Sequence, residues 1–234
     1  TQHPRVVVPT MAFSWDAFIQ SLNPVATRAE KERLDGVSAC VDEGRITEEE
    51  SEAINALVGR GASLYGEITP RGFSKLGKRL DLGPTDHFAD LGSGVGRIVV
   101  QAVTEFDVAT SHGVEISASR HDLATKGLQQ ELRPEVYSRI SYSLADACAS
   151  SEWSEGGGLH DCTVLWTCSS VFGRRTMLLL RERIAASQCV RLVASENNFP
   201  GGIEGFTEIA PEMCEVSWKL HPHPGASVHI YQRK

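Results

Sequence analysis

The chain has 234 residues, and the spacing of its apolar residues changes after an initial stretch. Residues 11–60 repeat apolar positions at the spacing of amphipathic helices. Within this stretch, Thr47 followed by Glu50 has the pattern of a capping box, which predicts the start of a helix. We therefore predict an N-terminal helical region over residues 1–62 and one larger domain over residues 63–234.

In the larger domain, short apolar runs alternate with helical patterns of about ten to twenty residues. The predicted strands are His87–Leu91, Ser111–Glu115, Ile140–Leu144, Thr163–Thr167 and Val190–Ala194. The main helices predicted between them are Val95–Phe106, Ala118–Leu132 and Arg174–Ser187. Such alternation implies crossover connections, and hence a mostly parallel sheet with helices on both faces.

The end of the chain predicts a different kind of strand pair. Glu215–Leu220 and Val228–Gln232 are strand-like runs that are separated only by the segment His221–Gly225. Short connections join antiparallel strands, whereas parallel strands need a long crossover. The predicted fold class is therefore α/β, a Rossmann-like seven-strand sheet that ends in an antiparallel hairpin and carries an N-terminal helical extension.

Composition and charge narrow the range of partners. The net charge is -7 and only 7% of the residues are aromatic, which argues against direct binding of nucleic acid. A basic protein partner is compatible with this charge. The basic residues Arg71, Lys75, Lys78 and Arg79 fit a solvated helix face. Since no apolar run reaches the ~18 residues of a membrane span, we expect no membrane association.

The six cysteines do not suggest a metal site. None of them is paired in the Cys-x-x-Cys spacing that zinc sites use, and several lie in apolar runs that are predicted to be buried strands. We interpret them as reduced thiols of an intracellular protein, without distinguishing nucleus from cytoplasm. No metal ligands are predicted.

A glycine-rich turn lies between a predicted strand and a predicted helix, in the run Asp90–Arg97. Gly92 and Gly94 allow a tight turn and a close approach of backbone to a ligand. A dinucleotide site would place pyrophosphate at the following helix N-terminus, but a carboxylate at Asp90 would repel it. The same carboxylate would attract the amino group of a methionine moiety. The run therefore favours S-adenosylmethionine, with S-adenosylhomocysteine as the product, over a nicotinamide cofactor.

Two further carboxylates follow the next predicted strands. Glu115 ends the second strand, 25 positions after Asp90, where a carboxylate suits the two hydroxyls of a ribose. Asp146, beside Ala147, follows the third strand and is placed to accept from an adenine amino group. All three carboxylates are predicted at the carboxyl ends of adjacent strands, where open α/β sheets bind ligands.

The segments Tyr65–Pro70, Phe88–Gly96 and Gly113–Glu115 together resemble the non-SET histone lysine methyltransferases, the disruptor-of-telomeric-silencing family. A weaker similarity returns at Val216–Trp218. The resemblance implies the seven-strand, class I methyltransferase fold and S-adenosylmethionine as cofactor. It also implies a set of cofactor contacts: Tyr65, Glu67 and Thr69 beside the loop, Asp90, Gly92, Ser93, Gly94 and Gly96 around the methionine, Glu115 on the ribose, and Asp146 with Ala147 at the adenine.

The substrate half departs from that family. A paired-asparagine motif, Asn-Asn-Phe-Ala-Phe-Gly, is expected after the fourth strand, but this chain has Cys168–Gly173 there. An Asn-Asn-Phe run occurs at 197–199, after the fifth strand instead. Cys168 and Ser169 are the residues predicted at the tip of the fourth strand, where groups that face the methyl acceptor are expected.

The sequence thus predicts an S-adenosylmethionine-dependent methyltransferase that acts on a lysine of a basic, histone-like protein. One alternative is a small-molecule N- or O-methyltransferase whose pocket is roofed by the N-terminal helices that contain Phe13, Trp15 and Phe18. Another is a cofactor-binding pseudoenzyme. His221 and His223, in the last predicted turn, are further candidates to reach the pocket.

Overall fold

A computed structural model describes residues 44–131, 134–218 and 225–234. The helices predicted before residue 44, and the two turn histidines His221 and His223, lie outside these ranges. The first described helix, α1 (Glu48–Val58), begins where the capping pattern predicts. The Thr47 side chain accepts from the Glu50 backbone N–H at 3.2 Å, which satisfies one of the unpaired donors of the first turn.

Seven strands form one sheet in the order β3-β2-β1-β4-β5-β7-β6. Their bounds are β1 His87–Leu91, β2 Thr110–Glu115, β3 Ile140–Leu144, β4 Val164–Thr167, β5 Leu192–Ser195, β6 Phe206–Cys214 and β7 Ala226–Arg233. The first five strands pair in parallel, and β7 runs antiparallel to both of its neighbours. This confirms the predicted Rossmann-like sheet of seven strands. The bounds of the first five strands differ from the predicted ones by at most two residues.

Helices cover both faces of the sheet. They are α2 Pro70–Arg79, α3 Arg97–Phe106, α4 Ala118–Glu131, α5 Pro134–Tyr137, α6 Ser150–Trp153 and α7 Arg174–Ala186. Successive residues of β1 alternate between the two cores: Phe88 packs with Phe73 of α2, whereas Leu91 belongs to the cluster that contains Leu180 of α7. A strand buried on both faces reads as a continuous apolar run, which is why the sequence marks it so clearly.

The prediction of a strand at Glu215–Leu220 is wrong over the described residues 215–218, because the strand that pairs with β7 is Phe206–Cys214. This edge strand is exposed at most of its positions and therefore lacks the alternation that identifies a strand. Its register shifts around Pro211, which an edge strand tolerates because it has one unpaired side. Of the predicted run, Val216 forms a single antiparallel bridge with Ile68.

Part of the basic face of α2 docks onto this edge strand. Lys75 forms a salt bridge with Glu212 and donates to the Met213 carbonyl at 2.9 Å. Arg79 donates to the Ala210 carbonyl at 3.5 Å. These basic side chains therefore help to attach α2 to the sheet, a role that their charge pattern alone does not indicate.

At the opposite end of the sheet from the glycine loop, Asp86 joins three strands. Its carboxylate accepts from Arg191, before β5, at 2.9 and 2.8 Å, and from the Thr163 hydroxyl, before β4, at 3.0 Å. It also accepts from the Gly83 backbone N–H at 3.1 Å. Asp86 is only 3% exposed. Its replacement would leave several donors without a partner.

We expect Asp86→Ala to lower the free energy of unfolding by about 2–4 kcal/mol, because the donors that bind the buried Asp86 carboxylate lose their common acceptor. Chemical denaturation of the two proteins measures this difference. Asp161→Ala is the matched control, since that side chain is 79% exposed and its loss should change stability by less than about 0.5 kcal/mol. Equal effects of the two changes would contradict this role of Asp86.

Candidate active site

A cavity of about 410 Å³ opens at the carboxyl ends of the parallel strands. Its wall combines residues after β1, β2, β3 and β4 with the side chains of Ile54 and Val58 from α1. Its volume lies within the range of sites that bind small molecules. The strand topology places it at the edge of the sheet where ligands of α/β folds bind.

The glycine loop forms one wall of this cavity. Gly92 and Gly94 both have positive φ, at 85° and 56°. A Cβ atom at residue 94 would lie 2.5 Å from the Tyr65 ring, so a larger residue there would displace that ring. The backbone N–H groups of Gly92 and Ser93 both donate to the Val114 carbonyl, which fixes the loop against β2. The positive φ angles explain why the turn uses glycine, and the close contact with the Tyr65 ring requires a residue without a side chain at Gly94.

Asp90 is a buried charged group of the site with an unsatisfied oxygen. It is 3% exposed, and its Oδ1 atom has no hydrogen-bond partner among the described residues. Burial raises the pKa of the Asp90 carboxyl well above its ordinary value, and the charges of Glu115 and Glu67 raise it further. A buried carboxylate beside two others is a strong site for a cationic ligand group.

The other two predicted carboxylates line the cavity and are held by backbone groups. Glu115 accepts from the N–H of Gly94 at 2.7 Å and from the N–H of Ser117 at 2.8 Å. Asp146 accepts from the N–H of Cys148 at 2.8 Å. These bonds orient the carboxylates before any ligand arrives.

A smaller recess adjoins the cavity and contains Asp90, and the Tyr-Gly-Glu segment at residues 65–67 lines it. The Tyr65 hydroxyl donates to Glu67, and Glu67 also pairs with the buried Arg97. The Glu67 backbone bonds to Ser217 in both directions, at 3.0 and 2.8 Å. Gly66 is required there, because a Cβ would lie 2.5 Å from the Trp218 ring. Two segments that resemble the histone methyltransferases at distant places in the sequence are therefore paired in space.

At the tip of β4, Cys168 and Ser169 have different environments. The Cys168 thiol lines the cavity, donates to the Gly66 carbonyl at 3.5 Å and lies 3.8 Å from a Glu196 carboxylate oxygen. Burial, together with the nearby carboxylates, raises its pKa well above its ordinary value. Ser169 is fully buried, and its hydroxyl bonds with that of Ser195 at 2.8 Å. Its hydroxyl therefore serves the packing of β4 against β5.

Asn197 lies beside this tip, although it follows the fifth strand. Its backbone N–H donates to the Ser169 hydroxyl at 2.9 Å, and its side-chain amide donates to the Ser169 carbonyl at 2.5 Å. Judged by sequence position, the Asn-Asn run stands after the wrong strand. Because β4 and β5 are parallel neighbours, their carboxyl ends bring it to the tip of β4.

The residues predicted to contact the cofactor fall into three groups. Those that line the main cavity are Tyr65, Gly92, Gly94, Glu115, Asp146 and Ala147. Those that line a smaller adjoining recess include Glu67, Asp90 and Ser93. Thr69 and Gly96 line neither: Thr69 caps α2 by accepting from Gly72 at 3.1 Å, and Gly96 begins α3 in a left-handed conformation.

Sequence reasoning missed several wall residues. Arg120, in the first turn of α4, lines the cavity and is 5% exposed, and no motif marks it. Phe172 and Leu180 also face the cavity. The helical spacing of Ile54 and Val58 marks an apolar face, but only the fold shows that this face covers the site. Within the described ranges, no cluster of His, Cys, Asp or Glu is arranged to hold a metal ion, and no helix is long and apolar enough to cross a membrane.

Comparison with known sequences identifies relatives in one family. The sequence model described as histone methylation protein DOT1 matches residues 45–186, more than half of the chain. A histone-lysine N-methyltransferase, H3 lysine-79 specific, of Eremothecium gossypii is 43% identical over 67 residues, which cover 29% of this chain and 12% of that protein. The enzyme of the same name from Candida glabrata is 31% identical over 114 residues, 47% of this chain and 17% of that protein. The matches thus span less than a fifth of the length of these curated relatives.

Two solved methyltransferases of low sequence identity share the fold of this chain. The putative methyltransferase yhhF of Escherichia coli superimposes with a TM-score of 0.53 at 14% identity, covering 71% of this chain and 87% of that one. An RNA methyltransferase of Salinibacter ruber, solved in complex with S-adenosyl-L-homocysteine, gives 0.50 at 18% identity, covering 69% and 89%. These structures share the class I methyltransferase fold. Together with the match of the family model, the sheet and the paired Tyr-Gly-Glu segment show that the chain belongs to the DOT1 family of histone methylation proteins.

Proposed function

We propose that this chain binds S-adenosylmethionine in the cavity and transfers its methyl group to a lysine of a basic, histone-like protein, with S-adenosylhomocysteine as the product. The observation that carries the proposal is the buried Asp90 carboxylate, whose Oδ1 atom has no partner in the described structure. A ligand without a hydrogen-bond donor would leave this group unsatisfied, whereas a protonated amino group would supply both positive charge and donors. Family membership and the names of the curated relatives support the same activity.

The residues around the cavity suit this cofactor. Asp90 would hold the amino group of the methionine part, and Glu115 would accept from the ribose hydroxyls. Asp146 would accept from the adenine amino group. The apolar side chains of Phe172 and Leu180 offer a surface for a flat ring. These proposed contacts rest on the positions of Glu115, Asp146, Phe172 and Leu180 in the cavity and of Asp90 in the adjoining recess.

When bound, S-adenosylmethionine would supply an electrophilic methyl group, whose carbon takes the lone pair of the acceptor while the sulfur keeps the electron pair of the broken S–C bond and becomes neutral. The residues of the chain contribute alignment and the exclusion of water. Burial raises the pKa of the Cys168 thiol, and the nearby carboxylates of Glu196, Asp90 and Glu67 raise it further, so this end of the cavity carries a negative potential. Such a potential favours cationic groups.

A lysine acceptor sets a further chemical requirement. A lysine amine must lose its proton before it reacts, since the ammonium ion has no lone pair. Cys168 stays protonated at neutral pH because its pKa is raised, so we propose that it shapes the acceptor end and does not act as a base. Ser169 would act only through packing, by holding Asn197 at the tip of β4.

A small-molecule acceptor is the second candidate, and the apolar wall favours it. Ile54, Val58, Leu64 and Trp218 contribute largely apolar surface to the cavity. An apolar wall suits an apolar small-molecule acceptor better than the charged side chain of a lysine. A histone acceptor would imply action in the nucleus, whereas a metabolite would not. Any turnover at all would exclude a pseudoenzyme.

We expect the purified chain to transfer label from radioactive S-adenosylmethionine when nucleosomes, free histones and a metabolite extract are tested in parallel. Asp90→Ala and Glu115→Ala should each reduce the transfer by roughly 10- to 100-fold, the effect of losing one hydrogen bond to a charged group. Asp161→Ala should leave it unchanged. Label in a histone band supports the lysine proposal, and label only in the metabolite fraction supports the second candidate. Absence of transfer in every arm contradicts both.

We also expect Asp90→Asn to stabilise the ligand-free protein while it weakens cofactor binding. The folded-state pKa of Asp90 is raised, so the folded protein binds this proton more tightly than the unfolded chain does. Ionisation therefore costs stability as pH rises above about 4, the unfolded value, towards the folded pKa. The amide does not titrate, and it should raise the free energy of unfolding near neutral pH by about 1–3 kcal/mol.

Thermal melts over a pH series measure this difference. The gap between variant and wild type should widen as pH rises and then level off above the folded pKa. Added S-adenosylhomocysteine should raise the melting temperature of the wild type more than that of the variant at the same concentration. A variant that is less stable at every pH would contradict the unsatisfied state of Asp90.

A further inference from the structure

A single buried side chain, Arg120, joins the wall of the cavity to the chain that covers it. Its Nε donates to the Gly44 carbonyl at 2.8 Å, and its Nη2 donates to the Ser63 carbonyl at 2.6 Å. Its guanidinium lies 4.8 Å from the centre of the Tyr65 ring. We call residues 44–66 the roof segment, because it carries α1 and contributes Ile54, Val58, Ala62, Leu64 and Tyr65 to the cavity wall. Arg120 thus holds the roof segment at three separated points.

The roof segment is also tied together internally. The Ser63 hydroxyl accepts from the Ser51 hydroxyl at 2.7 Å and from the Asn55 side-chain amide at 3.0 Å. The Asn55 carbonyl oxygen accepts from the Ser63 backbone N–H at 3.1 Å. Since both ends of α1 are connected to the loop that follows it, a displacement of the loop would carry the helix with it.

A second attachment reaches the same turn of the sheet wall from α1. The Glu50 carboxylate accepts from the Ser117 hydroxyl at 2.7 Å and from the Ser119 backbone N–H at 3.1 Å. The backbone N–H of Ser117 in turn donates to Glu115 at 2.8 Å. The roof segment is therefore attached to the same short turn that orients the Glu115 carboxylate.

Tyr65 is the point where the roof segment meets the glycine loop. Its ring packs against Gly94, and the Val95 backbone N–H donates to its hydroxyl at 3.4 Å. Arg120 stacks on this ring, and a cation over an aromatic face is attractive, more so when water is excluded. The position of the guanidinium thus determines how close the ring lies to the loop.

Burial of a guanidinium is costly unless its donors are paired, and the partners here are two carbonyls and a ring of the roof segment. If the roof segment opened, Arg120 would lose these partners but regain hydration. The two terms oppose each other, so the contact holds the roof segment closed without making opening prohibitive. A cavity that must admit a cofactor and release its product needs such a contact.

We propose that Arg120 is a positioning residue that holds the roof segment and Tyr65 closed over the cavity and thereby slows the escape of the bound cofactor. This inference rests on the proposed function, because it takes S-adenosylmethionine as the ligand. It goes beyond it by assigning retention of the ligand to a residue outside the predicted contacts.

The test compares Arg120→Met, which keeps the length of the side chain, and Arg120→Lys, which keeps its charge, with Arg174→Met on the exposed start of α7. Calorimetry and stopped flow with S-adenosylhomocysteine measure its Kd and its dissociation rate. We expect Arg120→Met to raise both by roughly tenfold, Arg120→Lys to restore part of the loss, and Arg174→Met to change neither. In turnover, Arg120→Met should raise the KM for S-adenosylmethionine far more than it lowers kcat.

Hydrogen exchange of the ligand-free proteins separates this role from a general loss of stability. The Arg120→Met protein should exchange faster in residues 44–66 while β1, β4 and β5 keep their protection. Uniformly faster exchange, or unchanged dissociation of S-adenosylhomocysteine, would overturn the role of Arg120 and leave the proposed function intact. No binding of S-adenosylhomocysteine by the wild type would instead overturn the proposed function, and with it the ligand-retaining role.

A double-mutant cycle tests whether Arg120 acts through Tyr65. Tyr65→Leu removes the aromatic face, so Arg120→Met should weaken S-adenosylhomocysteine binding less in that background than in the wild type. Fully additive effects on the Kd would show that the two residues act separately, and would overturn the part of the proposal that passes through the ring.

Discussion

Three carboxylates are crowded at the ends of β1 and β2, and the arrangement of the surrounding chain follows from the free-energy cost of burying them. Glu115 is satisfied by two backbone N–H groups, and Glu67 by Arg97 and Tyr65. Asp90 retains an oxygen without a described partner. A protein under selection for stability alone would not keep such a group. In the proposed function, this oxygen receives the amino group of the cofactor.

The roof segment is attached to the rest of the chain largely through polar contacts. Arg120 and Glu50 connect it to the turn after β2, and the Tyr65 hydroxyl joins it to Glu67. These bonds are strong only while water is excluded. Closure of the roof segment and the strength of the electrostatic interactions beneath it are therefore coupled, which relates the folding of α1 to the proposed binding of the cofactor.

The acceptor end of the cavity is built from residues that no single local motif contains. At the tip of β4 the chain has Cys168 and Ser169, where the family resemblance predicts paired asparagines. Asn197 reaches the same tip from the neighbouring strand. Asn197 is used here to hold the backbone of Ser169. The acidic groups around Cys168 are Glu196, Asp90 and Glu67, which come from three separate segments of the chain. No local sequence pattern links them.

The sequence by itself determined the parallel part of the sheet, the glycine loop and the carboxylates at the strand ends, because buried strands, tight turns and caps each depend on near neighbours in the chain. Only the tertiary structure decided the pairing of Glu67 with Ser217, the edge strand Phe206–Cys214 and the position of Arg120. An exposed edge strand has little periodicity, and a buried arginine is recognised only by partners that are distant in sequence. Such contacts are set by the packing of whole elements, which a local pattern does not encode.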